Sequence, residues 1–206
     1  MKKSVSIKTL GVSLVSALVV GAFGGTMFLQ ATGNKFGTYP VKLTPEKNGT
    51  GLLVEVEDSS KRCKKDNHAG CMLFNEDSDG TVKFYLDGSK YKTKSCKNSN
   101  KVITRIELTT TGNGNKGVFN DGLGWVKPAS WLKENAFPSV DLETGIAYEA
   151  TLDQARSLVF LSNLNNHDAS EGEKVFWYRV TVSDCGESGG PWVSDPRGDN
   201  KGMKFN

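Results

Sequence analysis

The sequence has few histidines, no internal repeat and almost no amphipathic helical pattern. Two histidines occur in 206 residues, which leaves little for a zinc site and restricts any histidine base to His68 or His167. The absence of a repeat excludes solenoids and propellers. The near absence of 3.6-residue periodicity excludes a helical bundle. What remains is a chain of short apolar runs separated by polar turns.

Excess charge is also lacking once the first 31 residues are set aside. Those residues hold three lysines and no acidic residue, so the 26 basic residues of the chain fall to 23, equal to its 23 acidic residues. A neutral domain offers no long-range attraction to polyanions. We therefore expect no nucleic-acid partner and no membrane partner beyond the N-terminal segment itself.

The first 31 residues differ from the rest of the chain. Lys2, Lys3 and Lys8 lead into an uncharged apolar and small-residue stretch that ends at Leu29. This pattern predicts a signal peptide over residues 1–31 and export to the periplasm or the cell surface, with a bacterial character. The alternative is that residues 10–29 stay uncleaved and anchor the chain in the inner membrane, since about twenty residues span a bilayer.

The remaining chain predicts a single all-β domain over residues 51–206, with minor helix, after an extended lead-in over residues 32–50. Period-two alternation indicates strands in GLLVEVED, KVITRIELTTTG and EKVFWYRVTVSDC, and an edge strand is expected at residues 39–43. About seven such strands favour an antiparallel β-sandwich, immunoglobulin-like or jelly-roll, held by disulfides.

Turn chemistry gives three local expectations. CMLF and TVKFYLDG flank the polar stretch NEDSDG, which predicts a hairpin. The segment NLNNHDASEGEK predicts a second, longer hairpin loop between the last two long strands. Residues 128–134 predict one or two helical turns, because Pro128 stands where a helix tolerates proline.

Four cysteines follow the export segment and would meet an oxidising compartment. Cys63, Cys71, Cys96 and Cys185 allow three pairings. Pairing Cys63 with Cys71 closes a short loop and leaves Cys96 with Cys185, which would tie the middle of the chain to its last long strand. The C-x7-C spacing is wider than that of zinc-binding cysteine pairs, so we expect no metal and no cofactor.

Residues 186–191, GESGGP, resemble the GDSGGP motif of trypsin-like serine proteases. The resemblance implies that Ser188 is a nucleophile and that the N–H groups of Gly186 and Ser188 form an oxyanion hole. A hydrolase would then need a base, His167 or His68, and a carboxylate such as Asp168 or Asp184.

Three features depart from that family. Glu187 replaces its aspartate, neither histidine has the family's sequence context, and only eighteen residues follow Ser188. The favoured interpretation is a glycine-rich turn after the last long strand, with the hydrolase as an alternative.

Arg197, Gly198 and Asp199 form the integrin-binding tripeptide RGD. A short exposed turn explains these residues most simply, because Pro, Gly, Asp and Asn are turn formers. The alternative function is an adhesin that displays the tripeptide.

The irregular stretch between residues 112 and 138 is rich in aromatic residues. Trp125, Trp131, Phe119 and Phe137 lie among Gly, Asn, Asp and Lys, a composition typical of loops that bind a sugar, peptide or protein ligand. The alternative is that these rings fold back over an open end of the sandwich. The sequence thus predicts an exported, non-catalytic binding or structural domain.

Overall fold

The computed structural model describes residues 35–46, 50–64, 68–87, 101–114, 116–119, 127–148, 157–184 and 191–204. The chain divides into two units, Met1–Thr32 and Gly33–Asn206, and every described residue belongs to the second. The predicted all-β class is confirmed, because most of the structure is strand and helix is minor. In the ranges given above, no helix has the length and apolar character needed to cross a membrane.

The strands are β1 (Lys35–Pro45), β2 (Leu52–Val56), β3 (Met72–Phe74), β4 (Ser78–Leu86), β5 (Lys101–Thr109), β6 (Gly112–Asn113), β7 (Lys116–Gly117), β8 (Leu158–Asn163), β9 (Lys174–Asp184), β10 (Trp192–Ser194) and β11 (Arg197–Asn200). Short 3-10 turns occupy Ser59–Lys61 and Ala169–Glu171, and one π-helical turn occupies Leu132–Ala136. The last of these confirms the helical turn expected after Pro128.

The first sheet has the strand order β2-β1-β4-β8. Strand β1 lies between β2 and β4, so the prediction of an edge strand at residues 39–43 is wrong. Pro40 favoured an edge because proline cannot donate to a neighbouring strand. In the structure the carbonyl of Pro40 accepts a hydrogen bond from Glu57 N–H, just beyond the end of β2. The proline nitrogen faces the same neighbour, at the point where the hydrogen bonds between β1 and β2 end, so its lack of an N–H is tolerated there.

The second sheet is centred on β9. Strand β5 pairs with one edge of β9, while β10 and β11 follow one another along the other edge, with Pro196 at the break between them. Strand β11 then pairs in parallel with β3, and β1 pairs in parallel with β4 in the first sheet. The expectation of a purely antiparallel fold is therefore wrong, since both sheets are mixed.

Neither predicted hairpin is present. Strand β3 belongs to the second sheet and β4 to the first, and likewise β8 belongs to the first sheet and β9 to the second. Both polar connections cross between sheets. A buried amide network joins them, in which Asn165 donates to the carbonyl of Asn75 and accepts from Gly202 N–H, 2.8 and 2.9 Å apart.

One buried cluster receives side chains from both sheets. Its aromatic contacts include Phe84 of β4 with Tyr178 of β9, whose ring centroids are 5.6 Å apart. Trp177 points to the opposite face of β9, where the β6–β7 hairpin covers it and its indole N–H donates to Gly114 O at 3.2 Å. The outer face of the second sheet therefore has its own small layer of packing.

Candidate functional site

The expectation of a disulfide is confirmed, and of the three possible pairings the structure contains Cys63–Cys71. The two Cα atoms are 5.4 Å apart, and both residues are buried beside Leu73 in a cluster separate from the main core. Cys96 and Cys185 lie outside the described residues, so their pairing stays a prediction.

In the part of the chain that is described, His167 and Asp168, one base and one carboxylate considered for the hydrolase, form hydrogen bonds with other groups. Ser188 itself lies outside that part, as do residues 185–190. His167 is buried, and its Nε2 lies 3.2 Å from the carbonyl of Gly172. The carboxylate of Asp168 instead accepts from Ser170 N–H at 2.8 Å and begins the 3-10 turn Ala169–Glu171. These two residues stabilise a connection between the sheets and are not arranged as a catalytic pair.

The surroundings of His167 favour the neutral form of its ring. Its Nδ1 is buried and has no hydrogen-bond partner among the described residues, and burial lowers the pKa of the imidazole. The hydrogen bond to Gly172 and the nearby acidic side chains oppose that shift, while Lys174 adds to it. A neutral ring with Nε2–H donating to Gly172 O satisfies this geometry.

The four aromatic residues predicted to bind a ligand do not form one exposed surface. Phe137 is fully buried, with its ring packed edge-on at 5.1 Å from Phe176. Trp131 is half-buried against the core, 6.2 Å from the ring of His167. Phe119 is half-buried on the outer face of the second sheet. Trp125 lies outside the described residues, so Phe119 and Trp131 are the members of the set with partly exposed rings in the described structure.

The RGD tripeptide is strand β11 and not the exposed turn expected. Gly198 and Asp199 are buried between β9 and β3, and Arg197 Nε donates to Asp199 Oδ1 at 2.6 Å. A partner protein cannot contact a carboxylate that is buried and ion-paired, so this placement gives the adhesin hypothesis no support.

The structure brings together one cluster that sequence patterns did not single out, here called the Glu107 cluster: Arg105, Glu107, Phe119 and Arg179. Glu107 of β5 stands directly opposite Arg179 of β9, on the face turned away from the core. Cross-strand pairs of opposite charge are the ordinary contact at such positions. The signal present in the sequence was the alternation of Arg105 and Glu107 with Ile106 and Leu108, which marks the outward face of β5.

The geometry of the Glu107 cluster is tightly defined. Arg179 donates twice to Glu107, from Nε at 2.6 Å and from a terminal nitrogen at 3.0 Å, and Arg105 lies 3.3 Å from the same carboxylate. The guanidinium of Arg179 also stacks 4.7 Å from the centroid of the Phe119 ring. A bidentate arginine that stacks on a ring has little freedom to reorient.

The cluster is partly open to solvent. The side chain of Glu107 is only 2% exposed, while those of Arg179 and Arg105 are 12% and 36% exposed. Val118, next to Phe119, is 43% exposed. An apolar side chain, a partly exposed aromatic ring and part of a guanidinium thus lie together at the surface.

No protein-family model matches this sequence, and no curated protein is detectably similar to it.

Proposed function

We propose that this chain is an exported, non-catalytic β-sandwich protein that binds a peptide or protein ligand through the Glu107 cluster. The observation that carries the proposal is the stack of Phe119 on Arg179, while Glu107 holds the same guanidinium by two hydrogen bonds. A binding surface whose side chains are already ordered loses little side-chain entropy when a ligand arrives. The shared core of the two sheets supports the sandwich, and the buried disulfide is compatible with an oxidising compartment.

A peptide or protein ligand is favoured over a sugar by the contacts of Phe119. Sugars pack against the open face of an aromatic ring, and one face of Phe119 is occupied by the Arg179 guanidinium. The exposed Val118 beside the ring suits an apolar side chain, and the exposed part of Arg105 suits a carboxylate. The ligand expected is therefore an extended peptide that carries an apolar residue next to an acidic one.

The test compares two aromatic–cation pairs in the full-length chain. Phe119 stacks with Arg179 on the second sheet, and Phe160 lies under Lys83, 5.8 Å away, on the first. A panel of immobilised peptides with and without adjacent apolar and acidic residues is probed with wild type, Phe119→Ala and Phe160→Ala. We expect Phe119→Ala to weaken binding at least about tenfold, the loss typical of a central aromatic contact, and Phe160→Ala to bind as wild type does.

Binding that is equal in all three proteins would place the ligand site elsewhere. Failure of wild type to bind any apolar–acidic peptide would contradict the ligand class.

A further inference from the structure

Three buried donor groups meet beside β3. Cys63, Cys71 and Asp199 each contribute one atom to a group in which all separations are within 4.8 Å. Cys63 follows the 3-10 turn Ser59–Lys61, Cys71 immediately precedes β3, and Asp199 is in β11. Cys63 and Cys71 are eight residues apart, whereas Asp199 lies far along the chain and reaches them only in the folded structure.

Strand pairing accounts for this meeting. The parallel register of β11 with β3 places Asp199 opposite Leu73, and Cys71 precedes Leu73 by two residues, on the same side of the extended chain. The backbone N–H of Cys63 donates to the carbonyl of Cys71 at 3.2 Å and holds the other sulfur in place. Backbone hydrogen bonds and strand pairing therefore hold the three residues near one another in addition to the disulfide.

A carboxylate in this position is not explained by the disulfide. A disulfide has no charge to neutralise, and burying a carboxylate is unfavourable, as reflected in the pKa of Asp199, which burial raises. Arg197 Nε donates to Asp199 Oδ1 at 2.6 Å, and a terminal nitrogen of Arg197 lies 3.4 Å from Glu173. Carboxylates that bind metal ions are commonly oriented by a hydrogen-bonding neighbour of this kind.

We propose that Cys63, Cys71 and Asp199 form a binding site for Zn²⁺ when the disulfide is reduced. A dithiol reductant gives two electrons to the S–S bond, which yields two cysteine thiols and the disulfide of the reductant. Zn²⁺ then displaces the two thiol protons and binds two thiolate sulfurs and one carboxylate oxygen. Zn²⁺ and Arg197 oppose the three negative charges of these ligands, and Arg197 also pairs with Glu173.

The same two sulfurs cannot serve both states. When a small-molecule disulfide accepts two electrons from the thiolates, the Cys63–Cys71 bond forms again and the oxidant leaves as two thiols, with protons taken from water. A single carboxylate then remains, which is too few ligands to retain the ion. The site is therefore a switch between a metal-bound reduced form and a disulfide-bonded oxidised form. The seven residues between Cys63 and Cys71 argued against a zinc site in the sequence. In the folded chain these cysteines need not form a site alone, because Asp199 of β11 supplies a third ligand.

The experiment uses the full-length chain with Cys96→Ser and Cys185→Ser, so that Cys63 and Cys71 are its only cysteines. The protein is reduced with dithiothreitol, freed of reductant without oxygen and titrated with Co²⁺, a spectroscopic substitute for Zn²⁺. We expect uptake of one equivalent, with thiolate-to-cobalt charge-transfer absorption that disappears when Zn²⁺ is added. The oxidised protein should take up none. No uptake by the reduced protein, or equal uptake by both forms, would overturn the proposal, and so would unfolding upon reduction.

The role of Asp199 has its own control. In the same background Asp199→Asn should weaken Co²⁺ binding at least about tenfold, whereas Asp195→Asn, a change in the connection just before β11, should not. Equal affinity in both variants would overturn the three-ligand site. If Asp199→Asn does not fold, X-ray absorption of the zinc-loaded parent decides: two sulfur neighbours with oxygen are expected, and sulfur-only or sulfur-free coordination contradicts the proposal.

Discussion

His167 makes the stability of the fold depend on pH. Its Nδ1 is buried without a partner in the described structure, so a second ring proton would have no acceptor. Around it lie Asp168 and Glu171, which favour the charged form, and Lys174, which opposes it, and burial is the largest effect. The pKa in the folded state is therefore lowered, while the unfolded chain keeps the ordinary value of about 6.5.

The sign of the pH effect follows from that difference. Above about pH 6.5 the ring is neutral in both the folded and the unfolded state, so its protonation does not change the free energy of unfolding. As the pH falls through that value the unfolded chain binds the proton first, so the free energy of unfolding decreases until the pH lies below the folded pKa. We expect His167→Gln to flatten this part of the profile, measured by urea unfolding at several pH values between about 5 and 8.

His68→Gln is the matched control, since it removes the other histidine of the chain. A profile that flattens equally in both variants would show that the His167 environment is not responsible.

At the scale of elements, β11 shows how a strand can be hidden in a turn-like sequence. The letters Pro-Arg-Gly-Asp-Asn favour a turn by local preference. The strand forms because β9 and β3 leave a gap between them, and Gly198 fills it where the ring of Phe176 lies directly beneath. Only a residue without a side chain allows that approach.

Gly198→Ala tests this packing. An added Cβ would overlap the Phe176 ring, so we expect a loss of about 1–3 kcal/mol in the free energy of unfolding, the usual range for overpacking. Gly37→Ala in β1 is the control, because its Cβ would make ordinary contacts of 3.4 Å and more. Chemical denaturation compares the two. Equal stability in both variants would mean that Phe176 moves aside without cost.

Strands themselves were well predicted, but their partners were not. Residues 173–185 gave β9 and residues 101–112 gave β5, because β-branched and aromatic side chains in alternation suit a half-buried surface. The NEDSDG turn, in contrast, has the same local sequence preferences whether the strands on either side of it pair in one sheet or belong to two sheets. Asp77, with φ of 57°, accepts from Lys204 N–H at 2.7 Å, a contact with the end of the chain that local sequence does not encode.

At the scale of the whole molecule, the two sheets depend on one core. Phe84 of the first sheet and Tyr178 of the second are both fully buried and in contact. Removing a ring of this size from a close-packed core costs about 3–5 kcal/mol. Because the cavity would lie between the sheets, both should lose stability together.

Phe84→Ala is expected to lower the opening free energy of slowly exchanging amides in β1 and β9 by the same amount, as measured by native-state hydrogen exchange. Phe160→Ala, a half-buried ring on the first sheet, should cause a smaller loss. If β1 amides lose protection while those of β9 keep it, the sheets unfold separately and the shared core does not couple them.

Features set by local sequence were determined by the sequence itself, whereas features set by contacts between distant strands were decided by the tertiary structure. Alternation and side-chain type determined the all-β class, most strand positions and the helical turn after Pro128, because each depends on neighbours close along the chain. The sequence left three cysteine pairings open, and the fold contains Cys63–Cys71. Sheet membership, the burial of the RGD segment and both candidate sites were decided only in three dimensions. Glu107 meets Arg179, and Asp199 meets two cysteines, through pairing between distant strands, and such pairing is set by how the whole core packs.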